Sequence, residues 1–144
     1  MKIHANDIGI LVDDKMYPYE DIAYIEMQNS LDSSRLFAIN VTYTSGMESE
    51  LYRAVDKKKV IEIFDQMKYV LTQSPEFEDL NSMILNIGTL TDVHVSVDEL
   101  NKQCLLISFD GIKRFLNIKN RRKSQELIKK YKLHKSTRVD EVKK

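Results

Sequence analysis

Cationic side chains cluster at two points where a helix is predicted to begin, and they are the residues in this sequence best suited to binding chemistry. They form two triplets, Lys57, Lys58, Lys59 and Arg121, Arg122, Lys123. A helix N-terminus is already electropositive, so each cation there costs roughly 0.3 kcal/mol or more. An anion bound to the free backbone N–H groups would offset this repulsion. Both triplets therefore predict phosphate or carboxylate binding.

The second predicted helix carries further basic residues. Its apolar period places Leu127 and Tyr131 on the buried side, whereas Arg122, Lys129 and Lys132 lie nearly opposite. The prediction of anion binding therefore extends along the helix to Lys129 and Lys132. The alternative is that the two triplets were inherited together with an internal repeat and only solvate their helices.

Residues suited to metal or hydrolytic chemistry are widely separated in the sequence. His4, His94 and His134 have no Cys or His partner at ligand spacing, and no nucleophile elbow, phosphate-binding glycine loop or HExxH motif is present. We therefore expect no metal site and no cofactor.

The single cysteine and one acidic pair are the other candidates for catalysis. Cys104 begins an apolar run, which predicts a packed and inert thiol. Asp98 and Glu99 lie at the end of a loop, where acidic pairs are usually solvated. No catalytic residue is predicted, and we do not expect an enzyme.

The elements that must position the first triplet are a predicted hairpin followed by a helix. Residues 36–43 and 51–55 read as strands joined by a turn at Ser45 and Gly46. Asp56 is a good N-cap, and Phe64 lies at the centre of an apolar helical face. The pair Ser74-Pro75 should end this helix.

The last third of the chain repeats this layout in shorter form. Strands are predicted at residues 104–109 and 115–118, and Asn120 is predicted to cap the second helix. Asp110 and Gly111 between these strands predict a type I′ turn with positive φ at Gly111. The pattern indicates a degenerate internal repeat, although any hairpin followed by a helix would look similar.

Elsewhere the pattern predicts strands at residues 8–12, 22–27 and 93–97, a polar loop at 29–34, an acidic linker at 75–79, and either a short helix or a buried strand at 80–87. The predicted fold class is α+β, with antiparallel sheets of about seven strands and two amphipathic helices. The predicted organisation is a β-rich module at 1–74, a hairpin-helix module at 80–134 and a flexible basic tail at 135–144.

Net charge is zero over 144 residues, but it is unevenly distributed. Residues 1–112 contain 9 basic and 19 acidic side chains, whereas residues 113–144 contain 13 and 3. Such segregation bears on partners and association. With no signal-peptide pattern at the start and no long uncharged run, we expect a cytoplasmic protein without membrane insertion.

The opening of the chain carries a family resemblance. A strand, an acidic turn and residues 16–26, which read Met-Tyr-Pro-Tyr-Glu-Asp-Ile-Ala-Tyr-Ile-Glu, resemble the start of bacterial pleckstrin-homology-like (PH-like) domains, and the resemblance covers residues 3–73. It implies a bent seven-stranded sheet closed by a helix, and a scaffold that binds proteins or lipid headgroups. The pattern here predicts four strands before the first helix and three after it. Two abbreviated modules sharing a core, or a different α+β fold, both remain open.

Two classes of function follow. The first is a non-enzymatic interaction module, a small adaptor or regulator that binds a protein partner, and the charge segregation also allows a homodimer. The second is a binder of nucleic acid or another polyanion through the basic C-terminal helix. The acidic first 112 residues favour the first class. Abundant Lys, Asn and Ile are typical of low-GC bacteria and their phages.

Overall fold

A computed structural model describes residues 1–29, 35–118 and 120–143, except for the side chains of 137–143. Within these residues the chain has the predicted α+β class, with eleven strands in three antiparallel sheets and two α-helices. The prediction of about seven strands was wrong because several short strands carry little apolar alternation. The chain divides into two compact units, Met1–Thr89 and Leu90–Lys144.

The first unit contains two sheets and one α-helix. A three-stranded sheet has the order β1-β2-β3, and a five-stranded sheet has the order β6-β5-β4-β8-β7. The elements are β1 (Ile3–Ala5), β2 (Gly9–Val12), β3 (Lys15–Pro18), β4 (Ile22–Asn29), β5 (Phe37–Tyr43), β6 (Glu48–Ala54), α1 (Lys57–Leu71), β7 (Phe77–Asp79) and β8 (Met83–Asn86).

Helix α1 is the element that the sequence predicted best. The side chain of Asp56 accepts a hydrogen bond from the backbone N–H of Lys58 at 3.0 Å, so the predicted N-cap is confirmed. Phe64 is 1% exposed and packs in the core with Val60, Met67 and other apolar residues of the first unit. The apolar face predicted from the helical period is therefore the buried one.

The segment predicted to be an acidic linker is instead part of the five-stranded sheet. Strand β7 pairs with β8, and β8 pairs in turn with β4, with Leu85 opposite both Glu78 and Tyr24. This pairing decides between the two predictions for residues 80–87 in favour of a strand, which covers residues 83–86 and is buried throughout. Both strands belong to the first unit, so the division falls after Thr89 and not at residues 74–80.

In the described part of the chain, six strands precede α1, where the sequence predicted four. Strand β1 escaped prediction because its three residues pair only along one edge of β2. Strand β2 approaches β3 so closely that a Cβ at Gly9 would collide with the backbone of Tyr17. The predicted turn between β5 and β6 is present, and Gly46 there has φ of 96°.

The second unit consists of one sheet and one long helix. The sheet has the order β11-β10-β9 and all its pairs are antiparallel. Asn120 accepts a hydrogen bond from the backbone N–H of Arg122 at 3.0 Å, which confirms the predicted cap. The elements are β9 (Asp92–Val97), β10 (Gln103–Ser108), β11 (Lys113–Leu116) and α2 (Arg121–Lys143).

The turn predicted between β10 and β11 differs from the observed one. The register and a 2.7 Å bond from Phe109 N to Ile112 O leave Asp110 and Gly111 as a two-residue loop, but φ of Gly111 is not positive. The prediction of a type I′ turn was therefore wrong, since that turn needs positive φ at both central residues. The two hairpins are closed by different turns, so the parallel between the two halves is limited to the order of elements and the helix caps.

The predicted basic tail is helical, because α2 continues to Lys143. Residues 135–143 contain neither glycine nor proline, so no strong helix-ending signal interrupts it. The polar loop predicted at residues 29–34 falls almost entirely outside the described residues. The charge segregation follows the division into units: the first has 8 basic and 15 acidic residues, and the second has 14 and 7.

Candidate functional site

The second unit has a cleft with a volume of about 570 Å³. It lies between the beginning of α2 and the end of the sheet at which β10 begins. Its described lining residues are Val95, Lys102, Gln103, Cys104, Leu105, Asn117, Ile118, Arg121, Ser124, Gln125 and Ile128. Such a mixture of apolar and polar groups is typical of small-ligand and peptide sites.

One stripe of α2 forms the helical wall of the cleft. Arg121, Ser124, Gln125 and Ile128 recur at the spacing of residues that share a helix face. They stand to one side of Leu127, which is 2% exposed and fixes the helix to its unit. The wall is therefore built from the flank of the helix next to its buried face.

The opposite wall comes from the sheet. Leu105 of β10 lies directly opposite Val95 of β9, and both line the cleft. Alternation along β9 places Val93, Val95 and Val97 on one face of the sheet. Val93 is 4% exposed, whereas Val95 and Val97 are 49% and 50% exposed. The apolar face of β9 thus extends beyond the part that is covered.

A shallower groove of about 420 Å³ adjoins the cleft along α2. The two depressions share Gln125 and Ile128, and the groove adds Lys129, Lys132 and the 61% exposed Leu133. Cleft and groove together form one channel that is lined by apolar side chains, neutral polar side chains and cations. We call this combined surface the α2 channel.

The cations of the α2 channel lack carboxylate partners. Among the described residues, Lys102, Arg121, Lys129 and Lys132 form no ion pair, and no acidic side chain lines the channel. Arg122 provides the contrast, since its Nε lies 3.6 Å from Oε1 of Glu126. The positive charge of the channel is therefore not neutralised by the described part of the chain.

The two predicted anion sites differ in their caps. At α1 the capping side chain is the carboxylate of Asp56, whose negative charge already offsets the triplet Lys57, Lys58 and Lys59. Lys57 moreover places its Nζ 5.4 Å from the centre of the Phe37 ring. At α2 the cap is the neutral amide of Asn120, so the positive end of that helix keeps its charge.

The eight predicted anion-binding residues therefore do not form one site. Arg121, Lys129 and Lys132 line the α2 channel, whereas Arg122 is paired with Glu126. Lys123 is half-buried and already engaged within the protein. The lysine triplet is exposed on the first unit. Anion binding by these residues stays a prediction.

Cys104 lines the cleft but is only 6% exposed. Desolvation raises the pKa of its thiol, and the negative charge of Asp98 adds to the effect. The neutral thiol is therefore favoured over the nucleophilic thiolate. Strand alternation places its side chain on the face of the sheet opposite to that of Leu105 and Val95.

Asp98, one member of the acidic pair, has a structural role. Oδ1 of Asp98 accepts hydrogen bonds from the backbone N–H groups of Leu100 and Lys102, both at 2.9 Å. These bonds hold the loop between β9 and β10, where Asn101 has φ of 62°. Asp98 therefore shapes the loop that carries Lys102 to the cleft.

The histidines lie apart, on β1, β9 and α2. His94 contacts Asp92 through Nδ1 and Oδ2 at 2.6 Å, and both side chains are about half exposed. In the described part of the chain, no group of three His, Cys, Asp or Glu side chains is placed to hold a metal ion.

The first unit has an acidic depression of about 390 Å³. Asp7, Glu20 and Glu76 line it together with Tyr19 and the buried amide of Asn86. Desolvation, followed by the charge of Asp7, raises the pKa of Tyr19. The charge of this depression is opposite to that of the α2 channel.

Sequence reasoning missed the sheet wall of the cleft. Val95 and Leu105 appeared only as strand residues, and Lys102 stood alone in a loop. The sequence feature that could have predicted this wall is the alternation of Val93, Val95 and Val97. One helix turn is too short to bury all three of these apolar side chains.

Among the described residues, no helix has the length and hydrophobicity needed to cross a bilayer. Comparison with family models, curated proteins and solved structures found no match. The site is therefore interpreted from its own geometry.

Proposed function

We propose that this protein is a non-enzymatic binding module, an adaptor or regulator that recognises a protein partner through the α2 channel. The observation that carries the proposal is a channel that combines apolar side chains with four cations, Lys102, Arg121, Lys129 and Lys132, which have no ion-pair partner within the described part of the chain. Protein interfaces combine an apolar centre with a polar rim in this way. The resemblance to PH-like domains, which implies a scaffold for binding, points in the same direction.

The proposal can be tested by photo-crosslinking inside the channel. Gln125 is replaced by p-benzoylphenylalanine, and the same group at Tyr69 is the control, because Tyr69 is 73% exposed on the first unit. In extract from the source cells, we expect position 125 to form a discrete protein adduct that position 69 does not form.

Matched charge reversals show whether the adduct depends on the channel. Arg121→Glu with Lys132→Glu changes two channel cations, whereas Arg122→Glu with Lys130→Glu makes the same charge change away from it. The first pair should abolish the adduct and the second should preserve it. Adducts that both pairs weaken equally, or that nuclease removes, would contradict the proposal.

Nucleic-acid binding is the second candidate, and the exposed cations of α2 are the observation that favours it. It predicts that affinity for labelled RNA or DNA falls with salt at a log-log slope of about 0.9 per phosphate contacted. Reversal of Arg122, Lys129 and Lys132 to Glu should then abolish binding. We expect no appreciable binding of RNA or DNA even at low salt, because the apolar residues of the channel contribute little to phosphate binding.

Self-association is the third outcome to measure. The opposite charges of the two units would allow the α2 channel of one copy to meet the acidic first unit of another. Light scattering at low and high salt distinguishes the cases. A dimer at low salt that dissociates at high salt would identify a second copy as the partner.

A further inference from the structure

The spacing of cations along the α2 channel restricts what can bind there. Arg121 and Lys132 lie on the same flank of α2, about three turns apart. At a rise of about 1.5 Å per residue their Cα atoms are separated by roughly 16 Å. One carboxylate or phosphate cannot contact both cations. A ligand that uses the whole channel therefore needs two anionic groups some distance apart.

The surface between the two cations is apolar. Ile128 lies between them on the helical wall, seven residues after Arg121 and four before Lys132, and is shared by the cleft and the groove, while Val95 lines the cleft from the sheet. A charged group placed there would lose hydration without gaining a partner. The centre of the ligand should therefore be an apolar side chain.

An extended peptide meets both requirements. Successive residues of a strand advance about 3.3 Å, so residues at positions one and five lie on the same face and are about 13 Å apart. The remaining few ångströms are within reach of the long side chains of Arg121 and Lys132. The residue at position three points to the same face and would meet Ile128.

We infer that the α2 channel binds an extended segment of a partner protein with the pattern acidic, any residue, apolar, any residue, acidic. One acidic side chain pairs with Arg121, the apolar one packs on Ile128 and the half-exposed Val95, and the second acidic one pairs with Lys132. This inference rests on the proposed function and deepens it. The spacing of Arg121 and Lys132 would make the channel specific for segments whose acidic residues are separated in the same way.

Other anionic ligands fit less well. A fatty acid has one carboxylate and would leave one end of the channel unpaired. Single-stranded nucleic acid usually gains affinity by stacking bases on aromatic rings, and no aromatic residue is among the described residues that line the channel.

The test uses three fluorescent peptides and the full chain. The probe contains Glu-Thr-Leu-Thr-Glu between serines. One control has Gln for both Glu residues, and the other has the same composition with the two Glu residues adjacent. Fluorescence anisotropy should show the probe binding at least about tenfold more tightly than either control, because only the probe can pair with Arg121 and Lys132 at the same time.

The matched charge reversals complete the test. Arg121→Glu with Lys132→Glu should weaken probe binding by at least about tenfold, and Arg122→Glu with Lys130→Glu should change it by less than about twofold. Gln at the same positions replaces Glu if thermal melts show a reversed variant to be unfolded. Equal binding of the three peptides, or equal loss in both variants, would overturn the inference.

Failure of this inference can be told apart from failure of the proposed function. Suppose that no peptide binds, but the photo-crosslinker at position 125 still captures a protein that the channel variant does not capture. The ligand pattern is then wrong, and the proposal of a protein-binding module is retained. If the crosslink is also absent, both are wrong. A labelled oligonucleotide that binds more tightly than the probe would overturn the inference in favour of polyanion binding.

Discussion

The hydroxyl of Tyr131 donates a hydrogen bond of 2.6 Å to the backbone carbonyl of Thr91. This contact fixes the middle of α2 to the residue immediately before β9, at the far end of the strand from the exposed Val97. Together with the buried Leu127, it holds the helix at one end of the sheet face. The first turns of α2 extend past this anchor, where the cleft lies.

Removal of that hydroxyl should loosen the helix without changing the shape of its core. In Tyr131→Phe the ring remains, but one hydrogen bond is lost, which should lower the free energy of unfolding by about 1 kcal/mol. Urea denaturation followed by circular dichroism measures the change. Tyr69→Phe is the control, since Tyr69 is 73% exposed. An unchanged midpoint in Tyr131→Phe would show that the bond does not anchor α2.

Phe64 should be the most sensitive position of α1. It is 1% exposed at the centre of the core of the first unit, so Phe64→Ala should cost roughly 3–5 kcal/mol. This loss is comparable with the whole stability of a small domain. Tyr69→Ala on the exposed side of the same helix should cost less than about 0.5 kcal/mol. Similar midpoints for the two variants would contradict the assigned faces.

The first helix was predictable because local signals agreed. Asp56 is a cap in sequence and in structure, and the apolar period centred on Phe64 matches the face that is buried. Strand β7 was not predictable from local sequence, because Phe77 is flanked by acidic residues. The pairing of Phe77 with Asn86 depends on tertiary structure. Its ring packs edge-on against Tyr19 at 5.3 Å, a contact distant in sequence.

The candidate site was predictable in its charges and not in its shape. Arg121, Lys129 and Lys132 could be chosen from helix position alone. The cleft also needs the sheet, and it forms because the start of α2 leaves Val95 49% exposed. The uncovered part of the sheet follows from the hydrogen bond that anchors Tyr131 to Thr91. No local sequence pattern predicts that bond. The turn at Gly111 was mispredicted for the related reason that Asp-Gly is compatible with more than one turn type.

Two buried asparagines should respond in opposite ways to replacement by leucine. Asn40 and Asn86 are each 1% exposed. The amide atoms of Asn40 have no hydrogen-bond partner among the described residues, so its burial is costly. Asn40→Leu keeps a similar volume and should raise the free energy of unfolding by about 1 kcal/mol. Chemical denaturation of the two variants in parallel measures both changes.

Asn86 is the matched control because both its amide nitrogen and its amide oxygen form hydrogen bonds. Its Nδ2 donates to the carbonyls of Tyr19 and Ile22 at 2.9 and 3.0 Å, and its Oδ1 accepts from Gly88 N at 3.0 Å. Asn86→Leu should therefore cost about 2–4 kcal/mol. Destabilisation of the same size in both variants would show that Asn40 has a partner that is absent from the described contacts.

Alkaline pH should weaken the fold through Cys104. Burial and the charge of Asp98 raise the pKa of this thiol above its ordinary value. Between the unfolded pKa of about 8.5 and the higher folded pKa, the native state binds more protons than the unfolded state. The free energy of unfolding must then fall as pH rises through this window, and the full contribution is present below it. Urea midpoints at pH of about 7.5 and 9.5 measure the decline.

Cys104→Ala distinguishes the contribution of the thiol from that of other titrating groups. The variant should show a smaller decline in the free energy of unfolding between neutral and alkaline pH, even if it is less stable at neutral pH. Thiol labelling gives an independent check, since a side chain 6% exposed should react slowly in the native protein and quickly in urea. Equal labelling rates in the native and unfolded states would place the thiol at the surface, and the decline with pH would then need another source.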